Sequence, residues 1–240
     1  MSVRLHLVSD DPVASFHAAV RRRPRWALAP LLPWDDEAFK ARQRFAVARE
    51  TRKNASVQLD RIAGTCDPAH QGRTWLELAR EDGFLDQNLL LLDRNPGYYV
   101  QPDNKNITLV SENDRDWFIR QGHRRLCIAR FYLETQCIHH LDGVVLVNWV
   151  IDRELMEAYE TLRDVLADRR PGWSLDVQHT PNGQLQERNG HVDLWVPRLR
   201  LRHDGGEELL TRIDAVRWIN RISGPWWRRL FPAWGHGRPD

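Results

Sequence analysis

Residues 144–151 read VVLVNWVI, and residues 152–167 read DRELMEAYETLRDVLA. The first run is apolar almost throughout and bounded by polar residues, the pattern of a strand buried on both faces. The second changes period at once. Leu155, Tyr159, Leu162 and Leu166 recur at helical spacing on one face, with alternating charges on the other. Pro171-Gly172 stops the helix. A buried strand running straight into an amphipathic helix predicts a mixed sheet-and-helix protein.

Reading outward, residues 174–179 and 191–202 form two strands of a hairpin around Pro181-Asn182-Gly183 and Asn189-Gly190. Residues 207–222 are expected to be a final helix, with Leu209, Ile213, Val216 and Ile219 as core positions. On the other side, 124–135 alternates and reads as a long strand. Shorter strands are expected at 89–92, 98–101 and 107–110, separated by Asn95-Pro96-Gly97 and Pro102-Asp103-Asn104. The order across 124–202, strand, strand, helix, strand, strand, suits a ferredoxin-like or RNA-recognition-like sheet with helices on one face. The fold class is therefore α+β.

The N-terminal part opens with a strand at 3–8 and a helix started by Asp10-Asp11-Pro12. The run Arg21-Arg22-Arg23-Pro24-Arg25 ends that helix, and 26–32 is a second short strand. Asp35-Asp36-Glu37 then begins a long helix over 38–59, and a shorter one follows at 74–81. The expected organisation is an N-terminal ferredoxin-like unit (1–34 and 83–123) interrupted by a helical insertion (35–82). A second such unit (124–223) and a basic, tryptophan-rich tail (224–240) complete it.

The net charge of +2 says little, but its distribution says more. Residues 17–62 hold eleven Arg/Lys against five Asp/Glu, and 194–239 hold nine against four, whereas 63–193 hold fourteen against twenty-one. Basic ends flanking an acidic middle fit a polyanion held by the ends. No stretch approaches the ~18 apolar residues of a membrane span. Cys66, Cys127 and Cys137 form no CxxC pair, the usage of reduced thiols in a cytoplasmic protein. No Walker, GxGxxG, HExxH or nucleophile-elbow motif occurs, and no cofactor or metal is expected.

Four groups of residues suggest RNA as partner. Lys40, Arg42, Arg44, Arg49, Arg52 and Lys53 would lie on the long helix as a finger along a phosphate backbone. Arg21, Arg22, Arg23 and Arg25 repel one another unless an anion sits among them, and Arg23 could stabilise charge developing on a phosphate. His139 and His140 could move a 2′-hydroxyl proton; adjacent residues on a strand face opposite ways, so at most one would serve. The tail joins Arg217 and Arg221 to Trp226, Trp227, Arg228 and Arg229, rings and guanidinium groups that stack on bases. The same tail composition suits an anionic membrane surface or docking on the protein's own body.

Taken together, sheet units of RNA-recognition type, a basic helical insertion after the first strand and helix, and arginine-rich ends resemble the repeat-processing endoribonucleases of CRISPR systems, including their divergent type IV branch. The glycine-rich C-terminal loop common in that family is reduced here to Gly235 and Gly237. The resemblance implies metal-independent attack of a 2′-hydroxyl on its adjacent phosphate, with Arg23 and His139 or His140 as site residues. It also implies retention of the product RNA within a ribonucleoprotein complex. A non-catalytic nucleic-acid-binding subunit, and an adaptor or peripheral membrane protein using the tail, remain open alternatives.

Overall fold

The computed structural model describes residues 11–102 and 105–223; the expected strand at 3–8 and the tail at 224–240 lie outside them. The class is α+β. Helix α1 (Pro12–Arg22) begins as expected, with Asp11 Oδ1 accepting the Ala14 N–H at 2.7 Å and proline at the first helical position. Beyond Pro24 the chain forms a 3-10 turn (Arg25–Leu28), not the strand expected at 26–32; Pro30 makes an isolated bridge with Thr74, and the strand β1 is only Leu32–Pro33.

The chain divides into two compact units that are not contiguous in sequence. The first comprises residues 1–39, 49–150 and 184–193. Its strands are β1, residues 49–58 of β2 (Ala46–Gln58), β3 (Ile62–Thr65), β4 (Thr108–Glu112), β5 (Trp117–Gln121) and β6 (His140–Ile151, to residue 150). Their order is β1-β3-β5-β4-β6-β2. β1, β3 and β5 run parallel, with Leu32 opposite Gly64 and Gly64 opposite Phe118. β4 is antiparallel to β5 and parallel to β6, Leu109 facing Leu146. A Cβ on Gly64 would lie 2.1 Å from the Leu32 carbonyl oxygen, so the close approach of β1 requires glycine.

The centre of this unit is α5 (His123–Thr135). Residues 126–133 are all buried, and Phe131 packs edge-on to Phe16 of α1 at 5.8 Å. The stretch was expected to be a strand. A helix covered on every side carries apolar residues on every face, so it lacks the 3.6-residue signature by which a helix is recognised. Arg130 is buried within it. Its guanidinium lies 4.5 Å from the Trp26 ring centroid and 4.7 Å from that of Trp75, and it donates to the Ile62 carbonyl at 3.3 Å. Trp75 opens α3 (Trp75–Arg80), where Thr74 and Glu77 form the reciprocal capping pair.

Other expectations are corrected here. The leucines at 89–92 lie on α4 (Asp86–Arg94), where only Leu92 is fully buried, and 98–101 falls in and just after a 3-10 turn (Pro96–Tyr99). Short apolar runs do not distinguish the two periods. The helix expected over 38–59 stops early: α2 is Asp36–Gln43, and β2 follows. Ala46 and Ala48 are buried on either side of half-buried Val47, and Val57 is buried between exposed Ser56 and Gln58, the alternation of a strand at each end. The segment 35–82 is therefore not a helical insertion but supplies β2 and β3.

The second unit comprises residues 40–48, 151–183 and 194–240. Its helix α6 (Arg153–Arg169) buries Leu155, Tyr159, Leu162 and Leu166 and is capped by Asp152, as its spacing predicts. The hairpin of β7 (Ser174–Glu187) and β8 (Gly190–His203) is also found, though Pro181-Asn182-Gly183 lies within β7. Instead of one helix over 207–222, β9 (Gly206–Leu210) pairs antiparallel with β8, and α7 (Arg212–Ser223) starts only after Thr211. Thr211 and Asp214 exchange the capping bonds. Leu209, Ile213 and Val216, expected in the core, are exposed. The order across 124–202 is thus helix, strand, helix, strand, strand, and not the expected ferredoxin-like order.

Arg130→Ala would leave two indole faces and a buried carbonyl without their partner, together with a cavity. The expected cost is on the order of 3 kcal/mol, read as a lower midpoint of urea unfolding. An unchanged midpoint would show that the clamp contributes nothing to stability.

Candidate functional site

Among the described residues, one group of metal-type donors comes together, Asp67, His70 and His123, and it lies where parallel β3 and β5 end. Neighbouring parallel strands leave their following loops on one edge, the usual place for a ligand cleft in an α/β sheet. After β3, Asp67 caps a 3-10 turn (Pro68–His70), its Oδ1 accepting the Ala69 N–H at 3.0 Å. After β5, Gly122 adopts φ 95°, and a Cβ there would lie 2.9 Å from Ile107 Cγ1. Glycine thus lets the strand turn directly into α5, whose first residue is His123.

His123 Nε2 lies 2.7 Å from Thr65 Oγ1. The same hydroxyl accepts the Asp67 N–H at 2.9 Å and reaches the Ile119 carbonyl at 3.4 Å. A hydroxyl has one proton. With it turned to the Ile119 carbonyl, Thr65 accepts from both Asp67 N–H and His123 Nε2–H, which leaves the His123 Nδ1 lone pair bare. Burial, and then the neighbouring His70, push the His123 pKa down to about 4 against the opposing pull of Asp67. The imidazole is therefore neutral near pH 7.

The His70 ring sits 4.6 Å from that of His123 and 5.4 Å from that of Phe84. Its Nδ1 is shielded from solvent without a hydrogen-bond partner, and its Nε2 lies 3.8 Å from Asp67 Oδ2, beyond hydrogen-bond reach. Both imidazoles line a cleft of about 580 Å3 together with Gly122, Arg124 and Arg125 at the start of α5. Sequence reading missed this group. Its members lie on two loops that meet only because β3 and β5 are neighbours, and the one local signal was Gly122-His123 ahead of an apolar run.

Of the residues singled out from sequence, His139 lies elsewhere in the first unit, beyond the other end of α5. His123 and Glu134 are separated along that helix by about 16 Å at 1.5 Å per residue. Cys137, at φ 55°, ends the helix, and the Leu59 N–H donates to the His139 carbonyl at 2.9 Å. The exposed His139 side chain lines a pocket of about 160 Å3 with Trp26, Asp60, Arg130 and Glu134. Trp26 Nε1 donates to Glu134 Oε2 at 3.2 Å. Burial lowers the Arg130 pKa to about 10, while Asp60 foremost among its neighbours raises it. His140 is exposed, with Nε2 3.6 Å from Asp142 Oδ2. Arg23 caps α1 in the left-handed region, at φ 51°, and makes no hydrogen bond or ion pair with either histidine among the described residues. It is Trp26, close behind it in the chain, that shares the pocket with His139.

The basic residues fall into distinct classes. Arg21, Arg22, Arg23 and Arg25 are all exposed, and among the described residues none pairs with an acid. Lys40 and Arg42 lie on α2, and Arg44 stacks its guanidinium on Tyr159 at 4.6 Å. Arg49, Arg52 and Lys53 lie on a strand, so the six residues do not share one helical face. Arg49 Nη2 is 2.6 Å from Asp193, and Arg52 Nη2 is 3.8 Å from Asp114. Arg217 is 3.2 Å from Asp214, and Arg221 lies 4.5 Å over Trp218. Trp226, Trp227, Arg228 and Arg229 lie outside the described residues. No helix among the described residues is long and apolar enough to cross a membrane. No protein-family model, curated protein or solved structure matches the chain.

The three thiols report on this geometry. Cys137 is exposed, Cys66 is half-buried and Cys127 is fully buried. Burial, then Asp36, push the Cys66 thiol up to about 11 against the pull of Arg120. Iodoacetamide at about pH 8 should therefore alkylate Cys137 first, Cys66 slowly and Cys127 only on unfolding, as followed by peptide mass spectrometry. Reaction of Cys66 ahead of Cys137 would contradict the placement of the β3 loop.

Proposed function

We propose that this protein binds RNA along the arginine rim at the end of α1 and cuts it, as the repeat-processing endoribonucleases of CRISPR systems do. One observation carries the reading. Arg21, Arg22, Arg23 and Arg25 stand exposed and unpaired among the described residues, whereas the strand-borne Arg49 and Arg52 have carboxylates beside them. Four guanidinium groups within five residues of sequence repel one another until an anion lies among them. The C-terminal end of a helix dipole offsets only part of that repulsion. A ribose–phosphate backbone supplies the anion, and planar guanidinium groups grip its phosphates in pairs of hydrogen bonds.

Trp26 follows the rim directly and, half-buried with Arg130 over its ring, lines the same pocket as His139, where it would contact a base. In the reaction, His139 takes the 2′-hydroxyl proton, the 2′-oxygen bonds to the adjacent phosphorus, and the phosphorus–5′-oxygen bond breaks. Water protonates the departing 5′-oxygen, leaving a 2′,3′-cyclic phosphate and a 5′-hydroxyl. Arg23 stabilises the added charge on the phosphate oxygens. No metal enters this scheme.

A second reading, a non-catalytic RNA-binding subunit of a ribonucleoprotein complex, is favoured by the size of the His139 pocket. At about 160 Å3 it is below the roughly 300 Å3 at which ligand pockets usually begin. An adaptor or membrane-surface role rests on the tail at 224–240.

The test uses end-labelled repeat-type RNA hairpins with EDTA present. The wild-type chain should yield cyclic-phosphate and 5′-hydroxyl ends, and His139→Ala should stop cleavage while binding persists. Replacing Arg21, Arg22, Arg23 and Arg25 together by alanine should weaken binding at least about tenfold and flatten the log K against log salt slope by about 3. Binding with wild-type affinity and slope in that variant would overturn the reading. Binding without cleavage in the wild type would leave the subunit role.

A further inference from the structure

We infer that Asp67, His70 and His123 form a binding site for one borderline transition-metal ion of the Zn(II) class, with a coordination position open to the cleft at the start of α5. Three donor atoms, one from each side chain, lie within 4.8 Å of one another. Tetrahedral bonds of about 2.0–2.1 Å place ligand atoms about 3.3 Å apart, so modest side-chain rotation closes the set. Two features separate this group from a chance gathering of polar residues.

The first is the His123 ring. Thr65 Oγ1 engages its Nε2, and with the hydroxyl proton turned to the Ile119 carbonyl the tautomer is the one that leaves Nδ1 bare. Metal-ligating histidines are held in this manner, with the second nitrogen donating to an oxygen that orients the ring. Thr65 is thus a positioning residue, tied through the Asp67 N–H to the loop that carries the carboxylate. The second is the His70 ring. Its side chain is 15% exposed, yet among the described residues it makes no hydrogen bond. A shielded imidazole nitrogen with no hydrogen bond, here Nδ1, is costly unless something absent from the polypeptide satisfies it. A bound cation does so. Asp67 is built to complete the set, because Oδ1 is engaged by the Ala69 N–H while Oδ2 points toward His70.

The donor set selects the ion. Two imidazoles and one carboxylate suit Zn(II), Co(II) or Ni(II), whereas Mg(II) and Ca(II) take all-oxygen shells. Three protein ligands leave a fourth position for water or an anion. The cleft beside it carries Arg124, which lies over Phe84 at 5.1 Å, Arg125, and Glu81, which pairs with Arg73 at 2.8 Å. The two arginines disfavour a bare cation but favour an ion that brings an anionic fourth ligand such as hydroxide, phosphate or a carboxylate. This inference is independent of RNA cleavage, which is tested with EDTA present.

The experiment is titration of the full-length, chelator-treated chain with Zn(II) alone by calorimetry, alongside Co(II) absorption. Expected are one Zn(II) per chain and visible bands of four- or five-coordinate Co(II) that Zn(II) displaces and Mg(II) does not. His70→Ala and Asp67→Asn should each weaken binding at least 100-fold. Thr65→Val should weaken it by about 10- to 100-fold, the usual effect of losing a partner that orients a ligand. Cys66→Ser and Cys137→Ser should bind as the wild type. Circular dichroism checks the fold of each variant, and the Co(II) spectrum of the wild type stands if a variant fails to fold. No one-to-one binding tighter than about 10 µM, octahedral Co(II) bands, or loss of binding in the cysteine variants would overturn the site.

Discussion

The Arg130 guanidinium, held between the indoles of Trp26 and Trp75, ties together the parts of the first unit on which the candidate sites depend. A buried charge is expensive, and burial here lowers the arginine pKa despite Asp60, Cys127 and Glu134. Two electron-rich ring faces and the Ile62 carbonyl offset that cost with directional contacts. The contacts reach the turn after α1, the first turn of α3 and the start of β3, so one side chain sets three elements around α5.

Both ends of α5 then become chemically informative. At its start, Gly122 turns β5 into the helix and delivers His123 to the loop that follows β3. At its end, the left-handed Cys137 turns the chain toward β6 and leaves His139 beside Trp26 and Glu134. The arginine rim emerges from α1, which packs against the same helix through Phe16 and Phe131. Charge is distributed along similar lines. On β2, guanidinium groups meet Asp193 and Asp114, whereas on the rim none of the described residues supplies a carboxylate.

Sequence legibility followed burial. Helix α6 has one wet face and one dry face, and its spacing located it to within a few residues; α1 was marked by Asp11 and Pro12. Helix α5 was taken for a strand because no face of it stays wet. The basic run at 46–58 reads as helix because only Ala46, Ala48 and Val57 of it are buried, and Val57, nine residues past Ala48, is out of phase with the other two, so no two-residue period runs through it. Of the site residues, the rim was legible because its four arginines are adjacent in sequence. The Asp67, His70 and His123 group was not, since strand neighbourhood brings it together and a single sequence does not display which strands pair.

The central claim is that RNA lies across the rim and Trp26. Ultraviolet crosslinking of bound RNA, followed by mass spectrometry of the crosslinked peptides, tests it most directly. The account predicts adducts on peptides containing residues 21–26 and on the peptide carrying His139. Adducts confined to the peptides of β2 and α6, with none at 21–26, would contradict it.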